Sequence, residues 1–322
     1  MEDNLKNRII SLLKKQYNVI CDTLTGEQAG WSALAYKAAG REKNYFLKVY
    51  DKHQYTAQEW IRRIDDYMPV LLWLEKNTNL KGKVPSIVLS VSGDYKFEDD
   101  DFIYILFEYI DGGNLFGKPL SKAIIRGLAE IIAELHKTGE NIPVKMENLT
   151  ETFDVSFCKI LSEMLQKKQY PIDMAQTLNS HAELIQNRIQ AYESLAKYLH
   201  SAKLQFVLCH TDIHCWNIML QDNQLKLIDW EGVRLAPAEA DLFSFTEGFF
   251  FENAWDEFMA TYKELRPDFK LNPEALRFYR LRRLLEDISE FSKSLLYDNL
   301  TEEERMLPLS LLEKCCLSLR DV

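Results

Sequence analysis

VLCHTDIHCWNIMLQDNQLKLIDW, residues 207–230, is the stretch on which the reading of the fold turns. Its second half holds two strand-like runs, WNIML at 216–220 and LKLIDW at 225–230, on either side of the turn-forming QDNQ, the pattern of a β-hairpin. Ahead of the hairpin, Asp212 lies two residues after His210 and five before Asn217, and Asp229 closes the apolar LID beyond it. Taken singly, Asp212 and Asn217 are ordinary turn formers and Asp229 an ordinary strand end. Their combination in one hairpin is more specific.

The Asp–Asn interval is that of a phosphoryl-transfer catalytic loop. A loop of this length sets a carboxylate beside an attacking hydroxyl and brings the later amide oxygen to a nucleotide-bound magnesium ion. Asp229, across the hairpin, then offers a second oxygen ligand. The same segment also gathers Cys209, His210, Asp212, His214 and Cys215, all residue types that ligate transition metals. His210 and His214 lack the HExxH carboxylate and lie in strand and loop rather than helix, so the cysteines and His210 read as packing beneath the loop.

Outward from this island the pattern divides. From residue 5 to about 110 an opening helix precedes strand-like runs at 32–38, 44–50, 86–91 and 102–109, with a helical stretch at 56–76. Beyond IDGGN at 110–114 long amphipathic helices dominate, as in LSKAIIRGLAEIIAELHKTG. The expectation is an α+β chain of two lobes, 1–109 with the sheet and 110–322 mainly helical, without repeats or a linker.

The 322 residues are 47% hydrophobic, enough for a large core. The longest apolar runs, VLLWL at 70–74 and FIYIL at 102–106, are too short to span a bilayer. The N-terminus opens with acids and shows Leu5, Ile9, Leu12 and Leu13 at helical spacing, unlike a signal peptide, so cytoplasmic residence is expected. Six cysteines without CxxC read as reduced thiols. A net charge of −10 without a basic tract argues against nucleic-acid binding and tolerates a cationic ligand. Nothing in the sequence speaks to oligomeric state.

HTDIHCWN, LIDWEGVRLAPAEADL and FLKVY together resemble the aminoglycoside phosphotransferase family, whose fold is that of the protein kinases, and the likeness spans nearly the whole chain. VLCHTDIH and FYRLRRLLEDISEF are similar to its spectinomycin phosphotransferase branch. The resemblance implies ATP and Mg2+ as cofactors, Asp212 as the catalytic carboxylate, Asn217 and Asp229 as magnesium ligands, His210 as loop support and Asp241 as a brace for the loop. It implies phosphate binding by Lys48, which the alternation of YFLKVY places on one strand face with Phe46 and Tyr50. For the acid that pairs with Lys48, Glu59, Asp65 and Asp66 compete, and Pro69 complicates where that helix begins or bends.

TGEQAGWSALAY occupies the place of a phosphate-covering hairpin, with Gly30 and Ser32 as backbone contacts, although it lacks GxGxxG. FEYIDGG at 107–113 reads as the hinge, with main-chain groups of Glu108 and Ile110 facing adenine. For the acceptor, Glu286, Asp287 and Glu290 fall on one helix, where they could hold cationic amines or form a plain mixed-charge face. The expected reaction is transfer of the γ-phosphate of ATP to a hydroxyl of an aminoglycoside or aminocyclitol such as spectinomycin. Two alternatives stand beside it: a kinase of a metabolite alcohol of the homoserine, choline, methylthioribose or sugar type, and a catalytically silent kinase-like binding or spore-coat protein.

Overall fold

A computed structural model describes residues 2–27, 33–54, 57–139, 142–166, 170–246, 249–298 and 300–322. The chain opens with α1 (Glu2–Tyr17), whose expected stripe buries Ile9 and Leu13 completely. The strands β1 (Cys21–Glu27), β2 (Leu34–Gly40) and β3 (Asn44–Asp51) follow, then α2 (Gln58–Asn77) and the strands β4 (Ile87–Val88), β5 (Phe97–Glu98) and β6 (Phe102–Glu108). They form one antiparallel sheet in the order β1-β2-β3-β6-β4, with β5 also on β6.

Alternation along the strands gives this sheet two different faces. Leu47 and Val49 of β3 and Tyr104 and Leu106 of β6 pack with α1 in a small core of their own. Tyr50, Ile103, Ile105 and Phe107 face α2, and that core continues into the rest of the chain. Lys48 shares the second face, as the pattern of YFLKVY predicts. The helix α2 runs through Pro69 unbroken, with Met68, Val70 and Leu71 buried beside it. Packing there outweighs the backbone hydrogen bond that proline removes.

After the hinge come β7 (Gly113–Asn114), α3 (Lys122–Thr138), α4 (Ser156–Leu165) and α5 (Ile172–Ser201). The segment from 207 to 236 then supplies β8 (Val207–Cys209), β9 (Ile218–Gln221), β10 (Gln224–Leu227) and β11 (Arg234–Ala236). The chain finishes in α6 (Glu239–Leu242), α7 (Trp255–Leu265), α8 (Pro273–Tyr297) and α9 (Glu302–Ser318). Local chemistry marks the helix starts: the Ser121 side chain caps α3, Asn272 followed by Pro273 starts α8, and Thr301 with Glu304 forms a capping box on α9. The protein is therefore an α+β, protein-kinase-like two-lobed molecule, with an antiparallel sheet lobe followed by a helical one. Among the described residues, no helix is long and apolar enough to cross a membrane.

The hairpin expected around QDNQ is β9–β10. Gln221 pairs with Gln224, leaving a two-residue turn of Asp222 and Asn223 at φ 48° and 63°. Positive φ at both positions is what a type I′ turn demands, and Asp and Asn tolerate it. β9 also pairs with β7, and the hinge lies against it so closely that a Cβ on Gly112 would stand 2.3 Å from the Leu220 carbonyl oxygen. The crossing between the lobes is thereby held to the β9–β10 hairpin.

Candidate active site

The catalytic loop hangs between β8 and β9 and is held from beneath by one carboxylate. Asp241, wholly buried on α6, accepts the backbone N–H of His210 at 3.0 Å and of Thr211 at 2.6 Å. Thr211 needs this hold, because a β-branched residue at φ 72° is strained. Its hydroxyl also donates to the Gly232 carbonyl at 2.9 Å, tying the loop to the segment after Asp229. Asp241 is fixed in turn by His136 of α3, whose Nε2 lies 3.0 Å from Oδ2 and whose Nδ1 lies 2.7 Å from the Tyr262 hydroxyl.

His210 is buried and supports the loop at both ring nitrogens. Nδ1 accepts the Asp212 N–H at 3.3 Å, which leaves Nε2 to donate to the Ile228 carbonyl at 2.9 Å. Burial lowers its pKa, in keeping with the neutral ring that this tautomer requires. Asp212 itself is partly exposed. Its Oδ1 meets Arg283 Nη1 at 2.8 Å and lies 3.4 Å from His214 Nε2, while its Oδ2 accepts Asn217 Nδ2 at 3.0 Å. Burial alone would raise the Asp212 pKa, but the hydrogen bond from His214 and the charge of Arg283 outweigh it and hold the carboxyl far below the usual range. These partners favour the ionised form of Asp212.

Across the hairpin, the Asn217 carbonyl accepts the Ile228 N–H at 2.9 Å, which sets Asn217 next to the residue preceding Asp229. Asp229 stands at φ 68° and ψ 67°, a left-handed turn that ends the LID run. Its Oδ1 binds Lys48 Nζ at 2.8 Å, and Glu231 Oε1 binds the same ammonium at 2.7 Å. Burial would lower the lysine pKa; the two carboxylates more than reverse this and push it well above its ordinary value. Elements of both lobes therefore bring Lys48 to Asp229, at the end of the hairpin that begins from Asn217 and its partner Asp212.

The acids of α2 stand elsewhere. Asp65 binds the Tyr95 hydroxyl at 2.9 Å and Lys96 at 2.7 Å, and Asp66 accepts from Asn148 at 3.1 Å. Glu59 lies on the first turn of α2, and the hydrogen bonds and ion pairs of Lys48 run to Asp229 and Glu231 instead. Expectation and structure differ here, because Glu231 sits in a 3-10 turn two residues after Asp229 and turns back toward β3. Its carboxylate also accepts the Tyr50 hydroxyl.

Gly30 and Ser32 fall outside the described residues. At the hinge, the Glu108 N–H donates to Ser86 O at 2.9 Å and the Ile110 carbonyl accepts from Gly112 at 3.0 Å. The side chain of Glu108 is taken by Lys43. On α8, each expected acceptor acid has a basic neighbour on its own helix: Glu286 lies 3.8 Å from Arg282, Asp287 3.0 Å from Arg283, and Glu290 2.6 Å from Lys293. The mixed-charge face read as the alternative for this helix describes it well. Only Asp287 reaches the catalytic loop, through the arginine that it shares with Asp212.

Among the described residues, metal-ligating geometry occurs at His136, Cys209 and Asp241. Their polar atoms are already engaged with one another, with Tyr262 and with the loop. The Cys209 thiol points at the Ala236 and Pro237 carbonyls, 3.6 and 3.5 Å away, and burial pushes its pKa well above normal. This group braces the loop; Cys209 packs there, as the sequence suggested. His136, Glu231 and Arg283 escaped sequence reading. The signals open to it were the acid two residues after Asp229 and the Arg–Asp spacing of 283 and 287, one helical turn.

The fold and this constellation define a phosphotransferase, and the chain belongs to the phosphotransferase enzyme family, whose model matches residues 23–280. Among solved structures, spectinomycin phosphotransferase APH(9)-Ia, in complex with ADP and spectinomycin, is similar at a TM-score of 0.77 and 21% identity, covering 98% of each chain. A microcompartment-associated aminopropanol kinase is similar at a TM-score of 0.69 and 16% identity, covering 98% of this chain and 96% of that one. The amicoumacin kinase hAmiN, in complex with AMP-PNP, Ca2+ and Ami, is similar at 0.65 and 15%, covering 100% and 96%. No protein of curated function matches the sequence.

Proposed function

We propose that the protein transfers the γ-phosphate of magnesium-bound ATP to a hydroxyl of a small molecule, with an aminocyclitol of the spectinomycin type first among the acceptors. The observation that carries this reading is the meeting of Lys48 and Asp229 across the cleft at 2.8 Å, one hairpin away from Asp212 and Asn217. Neighbours solved with ADP or AMP-PNP support nucleotide use.

The Asn217 amide oxygen and the Asp229 carboxylate are hard oxygen donors, which fits magnesium. When bound, the ion neutralises charge on the phosphates. The chain does the rest by positioning. Lys48 exchanges its carboxylates for phosphate oxygens. The Glu108 carbonyl and the Ile110 N–H meet the adenine edge. Asp212, kept ionised, accepts a hydrogen bond from the acceptor hydroxyl and aims its oxygen at the γ-phosphorus. His210, neutral and doubly bonded, and Asp241 keep the loop in its strained form.

A second reading, a kinase of a small amino alcohol, is favoured by one feature: Glu286, Asp287 and Glu290 are each offset by a base on the same helix, leaving little free negative charge for a dibasic acceptor. Turnover assays with Mg-ATP over aminocyclitols and amino alcohols separate the two. Phosphorylation of spectinomycin is expected; indifference to it with turnover of an amino alcohol selects the second reading. Asp212→Ala is expected to lower kcat roughly 10²–10⁴-fold at an unchanged melting temperature. Full activity in that variant refutes the assignment.

A further inference from the structure

Arg283 is the unexpected element at the acceptor side of Asp212. It projects from α8 over the Phe250 ring, 5.2 Å from the centroid, and its guanidinium is divided between two carboxylates. Nε holds Asp287 Oδ2 at 3.0 Å, one helical turn on, while Nη1 caps Asp212 Oδ1 at 2.8 Å. Oδ2 of Asp212 is engaged by Asn217. With His214 Nε2 also 3.4 Å from Oδ1, three donors crowd the Asp212 carboxylate, and a hydroxyl or a water that approaches Oδ1 meets the guanidinium lying against it. Nη1 is the donor that can leave without unpairing its residue, because the Nε bond to Asp287 keeps the cation neutralised and serves as a pivot.

We propose that Arg283 is a latch on the catalytic carboxylate: it covers Asp212 while the acceptor site is empty and swings onto Asp287 when an acceptor hydroxyl takes its place. This rests on Asp212 being the catalytic carboxylate. The latch protects ATP. With Asp212 uncovered and no acceptor present, water stands where the hydroxyl would be. Its oxygen forms a bond to the γ-phosphorus as the bond from that phosphorus to the β,γ-bridging oxygen breaks. ADP leaves with that electron pair, and the proton of the water passes to Asp212 and on to solvent, giving inorganic phosphate. A guanidinium on Oδ1 denies the water its base. Arg283 is thus a positioning residue, acting on the reaction through Asp212.

The test needs no known acceptor, since it reads phosphate release from Mg-ATP alone by the full-length protein. Arg283→Met, which keeps the length of the side chain and removes the charge, is expected to raise acceptor-independent hydrolysis about tenfold or more, the factor that one charge-assisted hydrogen bond commands. Arg283→Lys restores a cation beside Asp212 and is expected to stay near the wild-type rate. Asp287→Asn removes the charge but not the acceptor of the alternative perch and is expected to leave hydrolysis at or below the wild-type rate, so that a gain belongs to the loss of the Arg283 charge and not to any change on α8. In Arg283→Met/Asp212→Ala the gain disappears.

Unchanged or slower hydrolysis in Arg283→Met, with the melting temperature and ATP affinity of the wild type, overturns the latch and leaves the phosphotransferase reading standing. Equal gains from Met and Lys at this position also overturn it, because charge would then be irrelevant. A gain that survives Asp212→Ala overturns both the latch and the role of Asp212.

Discussion

Glu231 bears a load at the scale of single residues that its place in a short 3-10 turn conceals. It is buried, it holds Lys48 at 2.7 Å, and it accepts the Tyr50 hydroxyl, while Asp65 and Asp66 of α2 are spent on Tyr95, Lys96 and Asn148. Glu231→Gln keeps the shape and halves the charge facing the ammonium. The expected result is a rise in KM for ATP and a fall in kcat of about tenfold, from a lysine that no longer sits at a fixed point. Steady-state kinetics at varied ATP check this; an unaltered KM would place the anchoring of Lys48 elsewhere. Gly112 is the second residue of this kind. Alanine there brings a Cβ to 2.3 Å from the Leu220 carbonyl, backbone against backbone, so the hinge must shift. A loss of about 1–3 kcal/mol is expected in denaturant unfolding, with weakened nucleotide binding. The grouping of Asp212, Asn217 and Asp229 could be read from the sequence because the three closely flank one hairpin. The partners of Lys48 were not, because they stand 181 and 183 residues away and no local periodicity encodes such a pairing.

At the scale of elements, a charge network around a buried carboxylate ties β11, α8 and the segment before α4. The Glu151 side chain is 1% exposed and takes Arg282 Nη1 at 2.6 Å, Arg234 at 3.5 Å and the Phe153 N–H at 2.7 Å. Burial would raise its pKa; the arginines and the backbone N–H outweigh this and lower it. A carboxylate depressed in the folded state contributes stability that is complete above the ordinary glutamate range and is lost as pH falls through the lowered value. The melting temperature of the wild type is therefore expected to drop across that acid window, and Glu151→Gln to flatten this part of the profile while costing about 3–5 kcal/mol at neutral pH. A parallel acid limb in the variant would assign the dependence to other groups. Most elements could be read beforehand: α1, α2, α3 and β3 carry 3.6 or 2 periods, β6 is a continuous apolar run buried on both faces, and turn chemistry marks the β9–β10 hairpin. β1 could not, since CDTLTGE buries only Cys21 and Leu24, and the run at 86–91 shrinks to two strand residues because its ladder with β6 is short.

At the scale of the whole molecule, the two lobes are joined by the hinge and by Lys48 reaching across to Asp229 and Glu231. A ligand that occupies this cleft binds the folded form alone and must stabilise it. Mg-ADP at about 100 times its Kd is expected to add about 2.7 kcal/mol, visible as a raised melting temperature, and EDTA to remove most of the gain. A shift indifferent to EDTA would speak against Asn217 and Asp229 as metal ligands. The cross-lobe ion pair has a further consequence, for the order in which the chain is assembled. Lys48 leaves the ribosome 181 residues ahead of Asp229. At roughly 5–20 residues per second this is a delay of about 9–36 s. During that interval the sheet lobe must stand on the contacts that it makes with α1 on one face and α2 on the other, its half-buried lysine still awaiting a counter-charge. The N-terminal helix, remote from Asp212 and Asp229, is thus one of the two partners that let the sheet lobe form before the second lobe exists.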